Sequence, residues 1–399
     1  MKALIISVGT GTRRDMNAAE DLATALAQSV RHHNPDVTLF VVTCESRERT
    51  LPIVIDRAKP KQYEVIMLED PDNIQAIYET LQPIFVQARE SYEHLVVDFT
   101  SGTKAMTASL AVLAALYDVN ELSYITGKRM NGIVQAGTEQ ILSIRPYFIS
   151  AEQKLKTAIY FFNRAQYSTA TAILRQIIRI KDPKIIEKVD PILNLAEAYA
   201  LWDKFKHIEA FEKLKNIKIS DLNKNKQFLG ELASRIGQNR EPEPYFIADL
   251  LNNAQRRAEE GKHDDAVARL YRTMELIAQY RLKIKYGIES SSCPSGMLPP
   301  KILEKWNIPP GTGKVKLGLE KDYELLEAKG DILGEKYLKD ESLRHLLLNR
   351  NNSILAHGLT PVEMQVWQKL HEKVLEYAKI AVKNLDCLIE MSRFLKLKE

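Results

Sequence analysis

HLVVDFTSGTKAM (94–106) is the stretch from which the fold of the first part of the chain can be read. It opens on a continuous β-branched run, the mark of a strand buried on both faces of a parallel sheet. It then turns through Thr100, Ser101, Gly102, Thr103 and Lys104 into a helix-like segment, 103–117. Strand, glycine turn and helix make one unit of an open α/β sheet. Glycine in such a turn lets backbone N–H groups approach an anion. The helix start adds partial positive charge, and Lys104 adds a full one. The Thr and Ser hydroxyls can bond phosphate or ribose.

The same rhythm extends outward. Strand-like runs are ALIISV (3–8), TLFVVT (38–43), YEVIML (63–68) and LSYIT (122–126), with helix-like stretches at 15–33 and 73–90. The alternation predicts a doubly wound, Rossmann-like α/β domain over residues 1–148, closed by a hairpin within GIVQAGTEQILSI (132–144). A second glycine turn, Ser7-Val8-Gly9-Thr10-Gly11-Thr12-Arg13, follows the first strand. Both turns fall at carboxyl ends of predicted parallel strands, where open α/β sheets bind ligands. Gly9-x-Gly11 lacks the third glycine of the dinucleotide fingerprint, which disfavours a nicotinamide or flavin enzyme.

Composition sets the frame. The 399 residues are too many for one core, so two or three domains are expected. The net charge of +4 permits a phosphate-bearing partner without requiring one. Cys44, Cys293 and Cys387 are scattered and odd in number, against a disulfide framework or a zinc site and in keeping with a reducing cytoplasm. The opening apolar run is a buried strand by this reading, not a signal peptide, and no segment approaches the ~20 apolar residues of a membrane span.

SVGTGTR (7–13), TCES (43–46) and above all DFTSGTKAM (98–106) resemble the CARF domain of CRISPR-associated proteins. That resemblance implies a domain that dimerises and binds a cyclic oligoadenylate, tetra-adenylate being the expected ring. Gly9, Thr10, Gly11, Thr12, Ser101, Gly102, Thr103 and Lys104 would line the pocket, with Thr126–Arg129 as a lesser candidate. Some CARF domains also degrade their ligand.

Beyond residue 148 the strand signal stops. Segments 151–180 and 192–216 read as helix pairs, forming a helical linker domain at 149–245 that ends in the proline-containing QNREPEPYF (238–246). Residues 246–399 read as a third, all-α unit. Its expected helices are 246–259, a second running to about Tyr286 and capped by Asp264 or Asp265, then 317–328, 335–357 and 361–396. A Ser/Pro/Gly-rich loop, 288–316, contains WNIPPGTGKVK (306–316), which imitates a phosphate-binding loop. Ile308 stands where that motif needs glycine, and Val315 where it needs a magnesium-binding hydroxyl.

LLLNRNNSILAHG (346–358) carries the chemistry of this unit. On one helix, Arg350 and His357 would share a stripe about 10 Å apart along the axis, ending at Gly358 and Pro361. Histidine can move protons and arginine can stabilise charge on a phosphorane, while Asn351 can orient the phosphate or the imidazole. An Arg-x6-His pair is by itself commonplace. RNNSILAHG, however, resembles the Arg-x(4–6)-His signature of HEPN ribonucleases at its long end. CARF followed by HEPN is the architecture of the standalone ribonucleases of type III CRISPR systems. The resemblance implies a homodimer in which two Arg-His motifs form one site, cutting single-stranded RNA without a metal and leaving 2′,3′-cyclic phosphate ends. The alternative left by the residues alone is a non-enzymatic sensor that recruits a partner or binds nucleic acid as a regulator.

Overall fold

The computed structural model describes residues 1–11, 16–130, 133–134, 138–309, 311–356 and 358–398, so Thr12 and His357 lie outside the described residues. The chain divides into two compact units, Met1–Leu155 and Lys156–Glu399.

In the first unit, β1 (Lys2–Val8), β2 (Val37–Val42), β3 (Tyr63–Met67), β4 (His94–Asp98), β5 (Glu121–Thr126) and β8 (Gln140–Ile144) form one sheet in the order β3-β2-β1-β4-β5-β8. All neighbours are parallel except β5 and β8, which are antiparallel with Ile125 opposite Ile141. Strand alternation gives each face its own core. Ile5, Leu39, Val41, Leu95 and Val97 pack with Leu81 and Phe85 of α4 (Ile74–Ser91) and with Leu110 and Leu113 of α5 (Lys104–Leu116). Leu4, Ile6, Phe40, Val42 and Val96 pack with Leu26 and Val30 of α1 (Met16–His33) and with Val54 of α3 (Leu51–Ala58). Burial on both sides is why these strands read as unbroken apolar runs. A short helix, α2 (Cys44–Arg49), precedes α3 and begins in a reciprocal cap between Thr43 and Ser46.

The closing hairpin pairs differently from expectation. Ile133–Val134 (β7) turns back on Arg129–Met130 (β6), while the ILSI segment lies in β8 against β5. The antiparallel edge of the main sheet therefore comes from β5 and β8.

The second unit is mostly helical. It runs through α6 (Tyr147–Asn163, which begins in the first unit), α7 (Tyr167–Ile178), α8 (Pro183–Trp202), α9 (His207–Leu214), α10 (Asn223–Gly237), α11 (Glu243–Glu259) and α12 (His263–Tyr286). Several of its turns use the same left-handed residue, at Ala165, Lys181, Phe205, Asn239 and Gly261. After Ala165, Phe205, Asn239 and Gly261 the next amide reaches back to the preceding helix, as Gln166 does to Phe161 and Lys206 to Leu201. α8 starts earlier than expected, because Asp182 caps the amides of Lys184 and Ile185 ahead of Pro183. α12 has no side-chain cap: Asp264 and Asp265 lie in its first turn, after Lys262 at the cap position.

Residues 288–316 hold the two-residue pair β9 (Cys293–Pro294) and β10 (Lys314–Val315) around α13 (Pro300–Lys305). Lys314 is thus in a strand, and the next helix, α14 (Leu319–Ala328), starts four residues beyond Val315. That is not the lysine-at-helix-start geometry of a phosphate-binding loop. The single helix expected at 335–357 is two, α15 (Ile332–Lys339) and α16 (Glu341–Asn351), divided where Asp340 caps Leu343. The segment 361–396 likewise divides into α17 (Met364–Ala381) and α18 (Leu385–Met391).

After α18 the chain does not run free. Residues 392–398 lie along the helices of 160–260, beside a groove of about 1000 Å³. The Asn163 amide bonds both the amide and the carbonyl of Leu397, at 2.8 Å each. Buried Asn225 donates to the carbonyls of Met391 and Arg393, at 2.8 Å each, and accepts from the Tyr199 hydroxyl. Phe394 stacks on Tyr199 with centroids 4.1 Å apart, and the Arg256 guanidinium covers its ring at 3.9 Å.

Candidate functional site

The strand order reverses between β1 and β4, and the two glycine turns meet there. The Gly9 amide donates to the Ser101 hydroxyl at 3.0 Å. The Ser101 hydroxyl donates to the Ser7 carbonyl at 2.7 Å, and the Ser7 hydroxyl returns a bond to the Ser101 carbonyl. The turns are in contact: a β-carbon on Gly9 would lie 2.8 Å from the Gly102 amide nitrogen. Gly102 itself has φ +110°, and Gly11 has φ +86°.

Below them Asp98 is fully buried, holding the Thr100 amide at 2.8 Å and the Ser29 hydroxyl. Burial pushes its carboxyl above the usual range, opposed by the hydrogen bonds from Ser29 and Thr100. Asp98 therefore shapes the second turn from beneath.

This geometry divides the residues that the sequence singled out. Ser101 is buried and its hydroxyl is engaged in joining the turns. Thr103 caps α5 through the Met106 amide, 3.2 Å away, and donates to the Pro71 carbonyl. Gly9 and Thr10 are half-buried, while Gly11, Gly102 and Lys104 are exposed at the mouth of the turns. What the described residues offer an anion is the backbone of two glycine turns and one lysine at a helix start.

The second candidate lies at the end of α16. Arg350 stands in its last turn, but the helix stops at Asn351 and the chain then turns. The Ser353 amide and hydroxyl both bond the Arg350 carbonyl, at 3.1 and 2.8 Å. The Thr360 amide returns to the Asn352 carbonyl at 3.0 Å, closing a loop, and a β-carbon on Gly358 would lie 2.0 Å from that same oxygen. The helical stripe expected from Arg350 onward thus stops at Asn351, where Ser353 bonds back to Arg350, and the His357 end of that stripe lies outside the described residues.

Arg350 is half-buried. Its guanidinium carbon lies 4.8 Å from the centre of the Tyr271 ring, and one Nη donates to the Asn351 side-chain oxygen at 3.3 Å. Its Nε is buried without an acceptor, and among the described residues Arg350 makes no ion pair. Other arginines of this unit do meet carboxylates: Arg256 and Arg257 share Asp203, and Arg281 meets Asp331. Among the described residues Arg350 is thus a cation held against a ring and met by no carboxylate. In the sequence on either side of it several apolar side chains are exposed, Leu348 by 54%, Ile354 by 67%, Leu359 by 87% and Met364 by 50%.

Tyr271 gave no signal in the sequence. It lies beside the buried stripe Leu270, Met274 and Ile277, and only the packing of α12 against α16 brings it to Arg350. Among the described residues no group of three or more His, Cys, Asp or Glu is placed to hold a metal ion. Among them, too, no helix is long and apolar enough to cross a membrane. The three cysteines are free, Cys293 buried and the others exposed.

The chain thus joins an α/β unit with two glycine turns at its switch point to a helical unit with Arg350 at a helix end. Two family models match the helical part, the Csm6 6H domain over 150–241 and the Csm6 HEPN domain over 235–381. Among solved structures the chain is similar to Enterococcus italicus Csm6 bound to cyclic hexa-2′-fluoro-hexa-dAMP, with TM-score 0.65 and 14% identity over 98% of each chain. No curated protein matches it. The chain belongs to the Csm6-like CARF–HEPN proteins of CRISPR systems.

Proposed function

We propose that the chain is an endoribonuclease of type III CRISPR antiviral defence, switched on by a cyclic oligoadenylate and acting on single-stranded RNA. The observation that carries this is Arg350: a half-buried guanidinium with no carboxylate partner among the described residues, at the end of the helix that leads into Asn351 and His357. Such a cation suits the charge that builds on a phosphodiester as the 2′-oxygen attacks. His357 moves the protons and Asn351 orients the phosphate or the imidazole. The chemistry needs no metal and leaves 2′,3′-cyclic phosphate and 5′-hydroxyl ends.

The active species is a homodimer. The exposed Leu348, Ile354, Leu355 and Leu359 beside the motif are the apolar surface by which a second copy brings its own Arg350 and His357 alongside. The domains are 1–148 as sensor, 149–245 as helical linker and 246–399 as nuclease. The cyclic oligoadenylate lies across the turns of Gly9–Thr12 and Ser101–Lys104. Gly11 and Gly102 offer backbone amides, Thr10, Thr12 and Lys104 reach the ligand directly, and Gly9, Ser101 and Thr103 hold the turns. The similar Enterococcus protein was solved with a six-membered ring analogue, which sets hexa-adenylate beside tetra-adenylate as activator.

The test is cleavage of single-stranded RNA in EDTA with cyclic tri-, tetra- or hexa-adenylate. One ring should accelerate cleavage strongly. His357→Ala should abolish cutting while ligand binding, measured by calorimetry, persists. Wild-type cutting by that variant overturns the site, and RNA binding without turnover overturns the enzyme.

A further inference from the structure

We propose that Tyr271 is the positioning residue of the nuclease site, its ring face holding the Arg350 guanidinium in the attitude that meets the scissile phosphate. The proposal rests on Arg350 serving the reaction described above.

An arginine on a helix end has many rotamers, and ordering it costs conformational entropy unless something fixes it. A carboxylate would fix it and also cancel its charge. That is how Asp203 treats Arg256 and Arg257, and how Asp331 treats Arg281. An aromatic face attracts the cation through the ring quadrupole yet leaves its N–H donors and its net charge available. Here the guanidinium carbon is 4.8 Å from the Tyr271 centroid. Among the described residues its other partner is the neutral side-chain oxygen of Asn351, at 3.3 Å. The Nε is buried without an acceptor while the residue as a whole is half-exposed, so the charge is unmet inside and its outer face is open to an anion.

Tyr271 suits the task. It is half-buried on α12, next to the fully buried Leu270 and Met274, so its backbone is fixed by the core while its ring lies at the rim. Burial, and then the Glu275 carboxylate, raise its phenol above the ordinary range against the opposing effect of Arg350, so it stays neutral through physiological pH. The ring therefore offers a face and not a countercharge.

The experiment is a mutant cycle in the full-length protein, reading kcat and KM for activator-stimulated RNA cleavage. Tyr271→Leu should lower kcat by about tenfold with little change in KM, the scale of one partly desolvated cation–π contact. Tyr271→Phe should restore the wild-type rate. Arg350→Ala combined with Tyr271→Leu should be no worse than Arg350→Ala alone. A wild-type kcat for Tyr271→Leu, a Phe variant as slow as Leu, or an additive double variant overturns the proposal. Should Tyr271→Leu not fold, as judged by thermal melting, Tyr271→Met takes its place with the same expectations. If Arg350→Ala by itself keeps the wild-type rate, it is the underlying assignment of Arg350 that fails.

Discussion

A methyl group on Gly358 would fall 2.0 Å from the Asn352 carbonyl oxygen, so only glycine fits where the chain returns to Asn352. Gly358→Ala must open that loop and with it disturb both neighbours of His357. RNA cleavage is expected to fall by more than tenfold, with the sensor's ligand affinity unchanged and stability lowered by about 1–3 kcal/mol, checked by cleavage assay, calorimetry and melting. His33 gives a second residue-scale prediction. It is buried, bonded to the Ser123 hydroxyl at 2.9 Å, and burial lowers its pKa to about 4 against the raising effect of Glu121. Between about pH 6.5 and 4 the unfolded chain takes up a proton that the folded chain refuses, so stability falls as pH falls through that window. The melting temperature should therefore decline from neutral pH toward pH 4, and less steeply in His33→Asn. An equal slope in the variant would clear His33 of the effect.

At the scale of elements, the two glycine turns stand or fall as a pair. A β-carbon on Gly9 would press on the Gly102 amide, so Gly9→Ala should part the turns and weaken cyclic-oligoadenylate binding by about tenfold, measured by calorimetry, without unfolding the sheet. These turns were legible in the sequence because everything that makes them is local: a strand buried on both faces, a glycine, and a capped helix start. The end of α16 was not. LLLNRNNSILA has nothing a helix refuses, and what stops it is the Ser353 bonds to Arg350 and the contact of Gly358 with Asn352, features of three-dimensional closure. The division at Asp340 was missed although its reason is an ordinary N-cap, because Lys339 and Glu341 continue the polar pattern on either side. Ser101 and Thr103 were legible as hydroxyls at a turn. Their engagement with Ser7 and Pro71, from distant parts of the chain, was not. Tyr271 was invisible for the same reason, since 79 residues of chain separate it from Arg350.

At the scale of the molecule, the segment after α18 ties the last residues to helices laid down far earlier. Asn225 is buried with three bonds, two of them to the carbonyls of Met391 and Arg393. Asn225→Ala strands those carbonyls and should lower the stability of the helical unit by about 1–3 kcal/mol, read as a lower denaturant midpoint. The sheet, which shares none of these bonds, should keep its own midpoint when followed by a probe in residues 1–148. This clamp also sets an order of events during synthesis. The α/β unit can close as soon as β8 has left the ribosome, whereas the aromatic core around Tyr199 and Trp202 waits for Phe394. A nascent chain can therefore carry a closed α/β unit while its helical unit still lacks the ring that completes its aromatic core, so the two units mature one after the other and the helical one stays open to quality control for longer.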